Sequence, residues 1–166
     1  MSALGWIVGT FHTTALASTL LLLLYPRGGV GIGLAGLNTV TGLAIFVALW
    51  ATTVFTTGRA LRGLDLLAEI AETDQIRRIR LTFVQRALRW GGANGVLFLA
   101  LGGSIALGNA VVASTAPVSF GSVVVLVMII GVFGGLVAFV SGALLGVAFA
   151  VLDLFALWIA RAIVRA

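Results

Sequence analysis

Four polar side chains interrupt the apolar stretches of this sequence and are its first candidates for chemistry. Asp153 lies in LLGVAFAVLDLFALW, residues 144–158, where every other residue is apolar. His12 is the only histidine of the chain, and Asn38 and Asn109 stand in similarly apolar surroundings. An ionisable group in such a segment can carry protons, bind an ion or pair with an opposite charge. Each of these roles requires a second group close by.

The sequence lacks the residue types that catalytic and metal-binding sites need. Zinc takes three or four ligands, whereas the chain has one histidine, no cysteine and five acidic residues. The sequence also contains no phosphate-binding loop, nucleophile elbow or pair of carboxylates at catalytic spacing. We therefore predict a protein that is not an enzyme and that has no metal and no cofactor.

The composition indicates that the apolar stretches are transmembrane helices. Hydrophobic residues make up 61% of the 166 residues and charged residues 9%. Four apolar stretches, at 3–25, 30–57, 90–113 and from 122 onward, are each long enough to cross a hydrocarbon core, which takes about 20 helical residues. The predicted fold is an all-α, polytopic membrane protein in which residues 1–166 form a single domain with four transmembrane helices.

The distribution of arginine predicts the orientation of these helices. With four crossings, nine of the ten basic residues would share one side with both termini, and only Arg27 would lie on the other side. Arginine accumulates in cytoplasmic loops, so we expect a cell-membrane protein with both termini in the cytoplasm. The same bias explains the net charge of +5, and we predict no nucleic-acid partner.

Cytoplasmic helical extensions are predicted for the second, third and fourth helices. Residues 58–89 repeat apolar side chains at spacings of three and four around an acidic tip, which is typical of a helical hairpin. The final segment from Ser122 to Arg161 would be about 60 Å long as a helix, twice the core of about 30 Å. Either one helix, straight or kinked near Gly142, extends to a cytoplasmic or interfacial tail at 144–166, or the chain breaks near 141–146 and crosses again. We favour the single helix.

Asp153 lies on a stripe of glycines that predicts its surroundings. When the final segment is projected at 100° per residue, four glycines fall within about 40° of Asp153. Small residues mark close contacts between membrane helices, so the carboxylate should face a neighbouring helix. We predict a structural ion pair with Arg86 or Arg89, with Arg59 or Arg62 as the next candidates, and retain a proton or ion pathway as the alternative. The glycines of the stripe are Gly131, Gly135, Gly142 and Gly146.

The other intramembrane polar residues are interpreted as contacts between helices. His12 should lie near the middle of the first span, at a different depth from Asp153, and bond to the backbone or a hydroxyl of a neighbouring helix. Asn38 and Asn109 should both lie toward the outer side, where they could meet between the second and third spans. Hydrogen bonds of this kind hold membrane helices together.

These observations predict a non-catalytic membrane protein that serves as an accessory or scaffold subunit of a membrane assembly. Its expected partners are the lipid bilayer and either another protein or further copies of the chain, through the glycine stripes and the cytoplasmic hairpin. The alternative is a small oligomeric transporter or channel, with His12, Asn38, Asn109 or Asp153 along its path.

The orientation can be tested with single cysteines at Gly28, Asp74, Ala116 and Ala166, because the chain contains no cysteine of its own. We expect an impermeant thiol reagent to label positions 28 and 116 from outside, and positions 74 and 166 only after the membrane is opened. Outside labelling at 166 with position 74 still protected would instead show that the final segment crosses twice.

Overall fold

The computed structural model describes residues 3–24, 39–63, 76–113 and 119–165. Their elements are all helical, which confirms the predicted all-α class. In chain order they are α1 (Ala3–Leu24), α2 (Thr39–Ala60), α3 (Ile76–Ala113), α4 (Phe120–Ile129), a π-helical turn (Ile130–Gly134) and α5 (Gly135–Arg165).

Three helical segments are long and apolar enough to cross a membrane: Thr39–Ala60, Arg80–Val112 and Val123–Ala160. Large apolar side chains cover their outer surfaces, and the buried positions are taken largely by alanine and threonine. This distribution suits a bilayer, in which lipid tails are as apolar as leucine and helices associate through close packing and hydrogen bonds.

The final segment is one continuous helix from 120 to 165 that contains α4, the π turn and α5. The helix continues through 141–146, where a break had been the alternative to a single helix. The irregularity lies at Ile130–Gly134, about two to three turns before the kink that was considered at Gly142. A π turn inserts one extra residue into a helix, which rotates the faces on its two sides relative to each other by about 100°.

The second helix ends earlier than the apolar pattern predicted. α2 stops at Ala60, and Gly63 follows with a φ of 71°, a left-handed conformation that glycine adopts readily and that commonly ends helices. The tip of the predicted hairpin lies outside the described residues. α3 begins at Ile76, within the predicted hairpin at 58–89.

The closest helix contact joins α3 and α5 through glycines from both. A Cβ atom at Gly91 would lie 2.5 Å from the carbonyl oxygen of Gly142 and 2.9 Å from the Cα of Gly146. A Cβ at Gly95 would overlap the carbonyl oxygen of Ala138. The two backbones therefore touch directly, and no other residue type fits these positions without moving a helix.

Only two of the four glycines of the predicted stripe contact another helix. Gly142 and Gly146 face α3, whereas a Cβ atom at Gly131 or Gly135 would meet nothing within 4 Å. Gly131 lies inside the π turn, where the phase of the helix changes. Gly135 begins α5 and lies within about 20° of Gly142 in projection, so its Cβ position is open because α3 does not approach closely at this level. Gly131 and Gly135 thus leave an open surface on the described part of the chain.

An apolar cluster lies at the arginine-rich end of the glycine contact. Its buried members are Leu61, Phe83, Ala87 and Ala150. Side chains from α1, α3 and α5 pack around it, so the tail beyond residue 144 contacts three other segments of the chain. These side chains are Val8, Val84, Leu154 and Leu157.

Substitution of Gly95 by alanine should loosen the bundle, whereas Gly135→Ala should not. The methyl group at position 95 would meet backbone that cannot move by a rotamer change, so we expect a loss of about 2 kcal/mol or more in unfolding free energy. At the open position 135 the higher helix propensity of alanine should leave stability unchanged or raise it by up to about 1 kcal/mol. Equilibrium unfolding in mixed micelles measures the unfolding free energy of both variants. Equal losses of stability in the two variants would contradict a close backbone contact at Gly95 and an open position at Gly135.

Candidate functional site

The candidate site is built around a contact between His12 on α1 and Asp153 on α5. The imidazole Nε2 lies 3.2 Å from the carboxylate Oδ1 of Asp153. The side chains are 7% and 19% exposed, respectively. With the carboxyl ionised, Nε2–H donates to it, because a carboxylate only accepts. The structure thus brings together the two ionisable groups that the sequence had placed at different depths.

Phe149 completes the setting of the imidazole. Its ring lies one helical turn before Asp153 and stacks on the His12 ring, with a centroid distance of 4.3 Å and an interplanar angle of 15°. The i, i+4 spacing places both side chains on one face of α5. The histidine is therefore fixed in position by a stacking partner and a hydrogen-bond acceptor from the same helix.

α1 can reach this position because glycine and threonine line its inner face. A Cβ atom at Gly9 would lie 2.7 Å from the Cα of Val54, so α1 and α2 also approach closely. Thr13 is buried and donates its hydroxyl hydrogen to the carbonyl oxygen of Gly9. Trp50 of α2 donates to the hydroxyl of Thr10 at 3.1 Å. These contacts fix the rotation of α1 that turns His12 toward the bundle.

The arginines predicted to pair with Asp153 have other surroundings, which corrects the predicted ion pair. Arg86 donates from Nη1 to the backbone carbonyl of Arg62 at 2.6 Å, and Arg89 is exposed. The reason is rotational: the side of α3 facing α5 is occupied by Ala87, Gly91 and Gly95, and at 100° per residue positions 86 and 89 lie about 140–160° away, on the far side of the helix.

Arg59, one of the two next candidates, contacts two aromatic rings. Its guanidinium carbon lies 5.0 Å from the ring centroid of Phe55 and 5.9 Å from that of Trp90. Both distances fall within the range of a cation–π interaction. The positive charge therefore joins the end of α2 to the interior of α3, at the level where the sequence had placed the cytoplasmic membrane face.

A cavity of about 440 Å³ extends inside the bundle from the His12–Asp153 contact. Most of its wall is apolar, with side chains or backbone contributed by α1, α2, α3 and α5. Its size lies in the range of small-molecule sites, which are mostly apolar with a few placed polar groups. The polar side chains on the wall are His12, Thr53, Thr56, Thr57, Asn94, Ser141 and Asp153.

Asn94 is a polar residue of this wall that the sequence analysis missed. Its amide Nδ2 donates to the hydroxyl oxygen of Thr53 at 3.2 Å, whereas its buried Oδ1 has no hydrogen-bond partner among the described residues. Buried acceptors without a partner are uncommon in folded proteins. A signal was present in the sequence, since Asn94 follows Gly91 by three residues and so shares a face with the glycine contact.

Asn109 contributes to a separate contact between α2 and α3. It accepts a hydrogen bond at 3.0 Å from the hydroxyl of Thr41. Thr41 follows Asn38 by three residues in the sequence. Asn38 itself lies outside the described residues. The pair agrees with a role in joining the second and third helices and lies away from the cavity wall.

His12 and Asp153 form a hydrogen-bonded pair but supply too few ligands for a metal ion. Among the described residues no group of three histidine, cysteine or acidic side chains could hold a metal ion. One imidazole and one carboxylate supply fewer ligands than the three or four of a zinc site.

A double-mutant cycle tests the observed pair against the predicted one. His12→Ala and Asp153→Ala should each lower unfolding free energy by about 2–3 kcal/mol, because each leaves a partly buried polar partner behind. The double variant should recover at least about 1 kcal/mol relative to the sum, whereas Asp153→Ala with Arg86→Ala should be additive within about 0.5 kcal/mol. Coupling of Asp153 to Arg86 but not to His12 would refute the site as described.

Comparison with known proteins gives a family but no described relative. No curated protein and no solved structure matches the chain. The model of a family of unknown function, DUF7965, matches residues 1–166. Because this match covers the whole sequence, the chain belongs to the family DUF7965.

Proposed function

We propose that the chain is a multi-pass protein of the cell membrane, with four crossing helices and both termini in the cytoplasm, that acts as a non-catalytic accessory or scaffold subunit of a membrane assembly. The supporting observation is the length of its final apolar helix. Val123–Ala160 contains 38 residues, and no residue in its most apolar 18-residue window is buried in the described structure.

This apolar segment is longer than a bilayer can cover. It measures about 57 Å at 1.5 Å per residue. The hydrocarbon core is about 30 Å thick, and even a tilt of about 40°, the upper end of the usual range, uses only about 39 Å of helix. About 18 Å of apolar helix therefore needs cover from protein or from the membrane interface.

Part of the excess surface lies beyond the His12–Asp153 contact. Phe155 and Trp158 are 57% and 59% exposed, and their rings stack with a centroid distance of 5.9 Å. Exposed aromatic side chains in a cluster are typical of protein contacts and of the membrane interface. A partner subunit that covers this surface would make the chain a structural component of a larger assembly, and the open glycines Gly131 and Gly135 offer it a second point of close approach.

The proposal is tested by purification from native membranes in a mild detergent, followed by native mass spectrometry. We expect a stoichiometric complex with another protein or with further copies of the chain. Phe155→Gln with Trp158→Gln should reduce its yield about tenfold, equivalent to about 1.4 kcal/mol, because amide groups do not replace the apolar contact.

Leu81→Gln is the matched control for this substitution. Leu81 is 59% exposed, like Trp158, and lies on α3 at the same end of the bundle. The complex should survive this change at close to its original yield. A monomer in native membranes, or equal loss with both variants, would contradict the scaffold function.

The alternative function, a small oligomeric transporter or channel, is supported by a different observation. The internal cavity carries His12 and Asp153 at one end, and ionisable residues inside membrane segments mark many ion and proton pathways. Proton flux into liposomes that contain the purified protein, abolished by Asp153→Asn, would favour this function over the scaffold.

A further inference from the structure

The cavity is elongated along the helix axes. α5 lines it from Ala138 to Asp153, a distance of about 22 Å at 1.5 Å per residue. α3 lines it from Phe83 to Gly103, about 30 Å by the same measure. A volume of about 440 Å³ distributed over such a length leaves a narrow space, which suits a single extended chain better than a compact molecule.

The polar groups of the wall divide this space into three zones. The His12–Asp153 contact lies at one end, and Asn94 lies farther along with Thr53 beside it. Beyond Asn94 the wall of α3 consists of Gly95, Phe98, Leu99, Gly102 and Gly103. The far end therefore carries no polar side chain from α3.

In the middle zone no described group donates a hydrogen bond to Oδ1 of Asn94. Its Oδ1 is buried without a partner among the described residues, and its own Nδ2 already donates to Thr53. The neighbouring Thr56 hydroxyl is directed to the backbone carbonyl oxygens of Thr52 and Thr53. A ligand with a hydroxyl group would supply the missing donor, and leaving such an acceptor unmet is costly in an apolar site.

The carboxylate at the end of the cavity selects against one class of ligand. Asp153 accepts from His12 through Oδ1, and its second oxygen adds further acceptor capacity. An anionic head group beside this carboxylate would gain no hydrogen bond from it, because both groups only accept. Fatty acids and phosphorylated chains are therefore disfavoured.

We propose that this cavity binds one molecule of an uncharged single-chain alcohol, whose hydroxyl donates to Oδ1 of Asn94 and whose apolar chain lies along α3 and α5. The ligand is recognised by its donor, by the absence of negative charge and by the narrow cross-section of its chain. This site is independent of the scaffold function, which concerns the outer surface of the final helix.

Trp90 provides a local probe, because it lines the cavity. In protein reconstituted into lipid nanodiscs, with Trp6, Trp50 and Trp158 replaced by phenylalanine, a long-chain alcohol with bromine on its chain should quench Trp90 in a saturable manner. A protein that retains only Trp158, which is largely exposed and not part of the wall, reports simple partition of the probe into the bilayer and should show no saturation.

Three probes of equal chain length test the recognition chemistry. The brominated alcohol should bind about tenfold more tightly than the corresponding bromoalkane, which lacks the donor. The corresponding carboxylate should bind more weakly than the alcohol. In Asn94→Leu the affinity of the alcohol should fall to that of the bromoalkane. The affinity of the bromoalkane itself should not decrease in this variant.

Two glycine variants test whether the alcohol binds inside the cavity or whether any added side chain on α3 weakens binding. A Cβ atom at Gly103 or at Gly108 would meet nothing within 4 Å, but only Gly103 lines the cavity. Gly103→Leu should therefore weaken alcohol binding about tenfold, whereas Gly108→Leu should change it less than about twofold. Three results would each overturn the proposal: non-saturable quenching of Trp90, equal affinity for alcohol and bromoalkane, or tighter binding of the carboxylate. If Asn94→Leu fails to fold, the Gly103→Leu result decides between the proposal and its rejection.

Discussion

The direct contact between the backbones of α3 and α5 determines most of this structure. Gly91 and Gly95 meet Gly142 and Gly146 at distances that leave no room for a Cβ atom. This contact fixes the rotation of α5, so that Ala150 enters the apolar cluster and Asp153, three residues later, turns about 60° away from α3. The carboxylate then faces α1, where it meets His12. The glycine contact between α3 and α5 thus determines which side chain Asp153 binds.

The sequence predicted the helices well because each depends on local composition. Apolar length identified the helices, three of which are long and apolar enough to cross a membrane, and the preferred single final helix is continuous in the structure. Gly142 and Gly146 were predicted as packing residues and do lie against another helix. The early end of α2 depends on the conformation of a single residue, Gly63, which helix periodicity does not reveal.

The site was less predictable because it depends on how the helices are arranged. Depth estimates had separated His12 from Asp153, although the two side chains are in contact. Arg86 and Arg89 carry positive charges at a suitable depth along the helices, but depth alone does not determine which face of a helix a side chain occupies. Asn94 could have been found from its spacing to Gly91, since a polar residue beside a close helix contact is normally matched by a partner.

The final helix contacts the bundle differently along its length. Gly142 and Gly146 hold it against α3, whereas a Cβ atom at Gly131 or Gly135 would meet nothing within 4 Å. The π turn at Ile130–Gly134 joins α4 to α5, and its extra residue offsets the helical phase of α4 from that of α5 by about 100° while the backbone continues without a break. Deletion of one residue from 130–134 would therefore turn the exposed faces of α4 by about 100° relative to the bundle and leave the glycine contact of α5 in place.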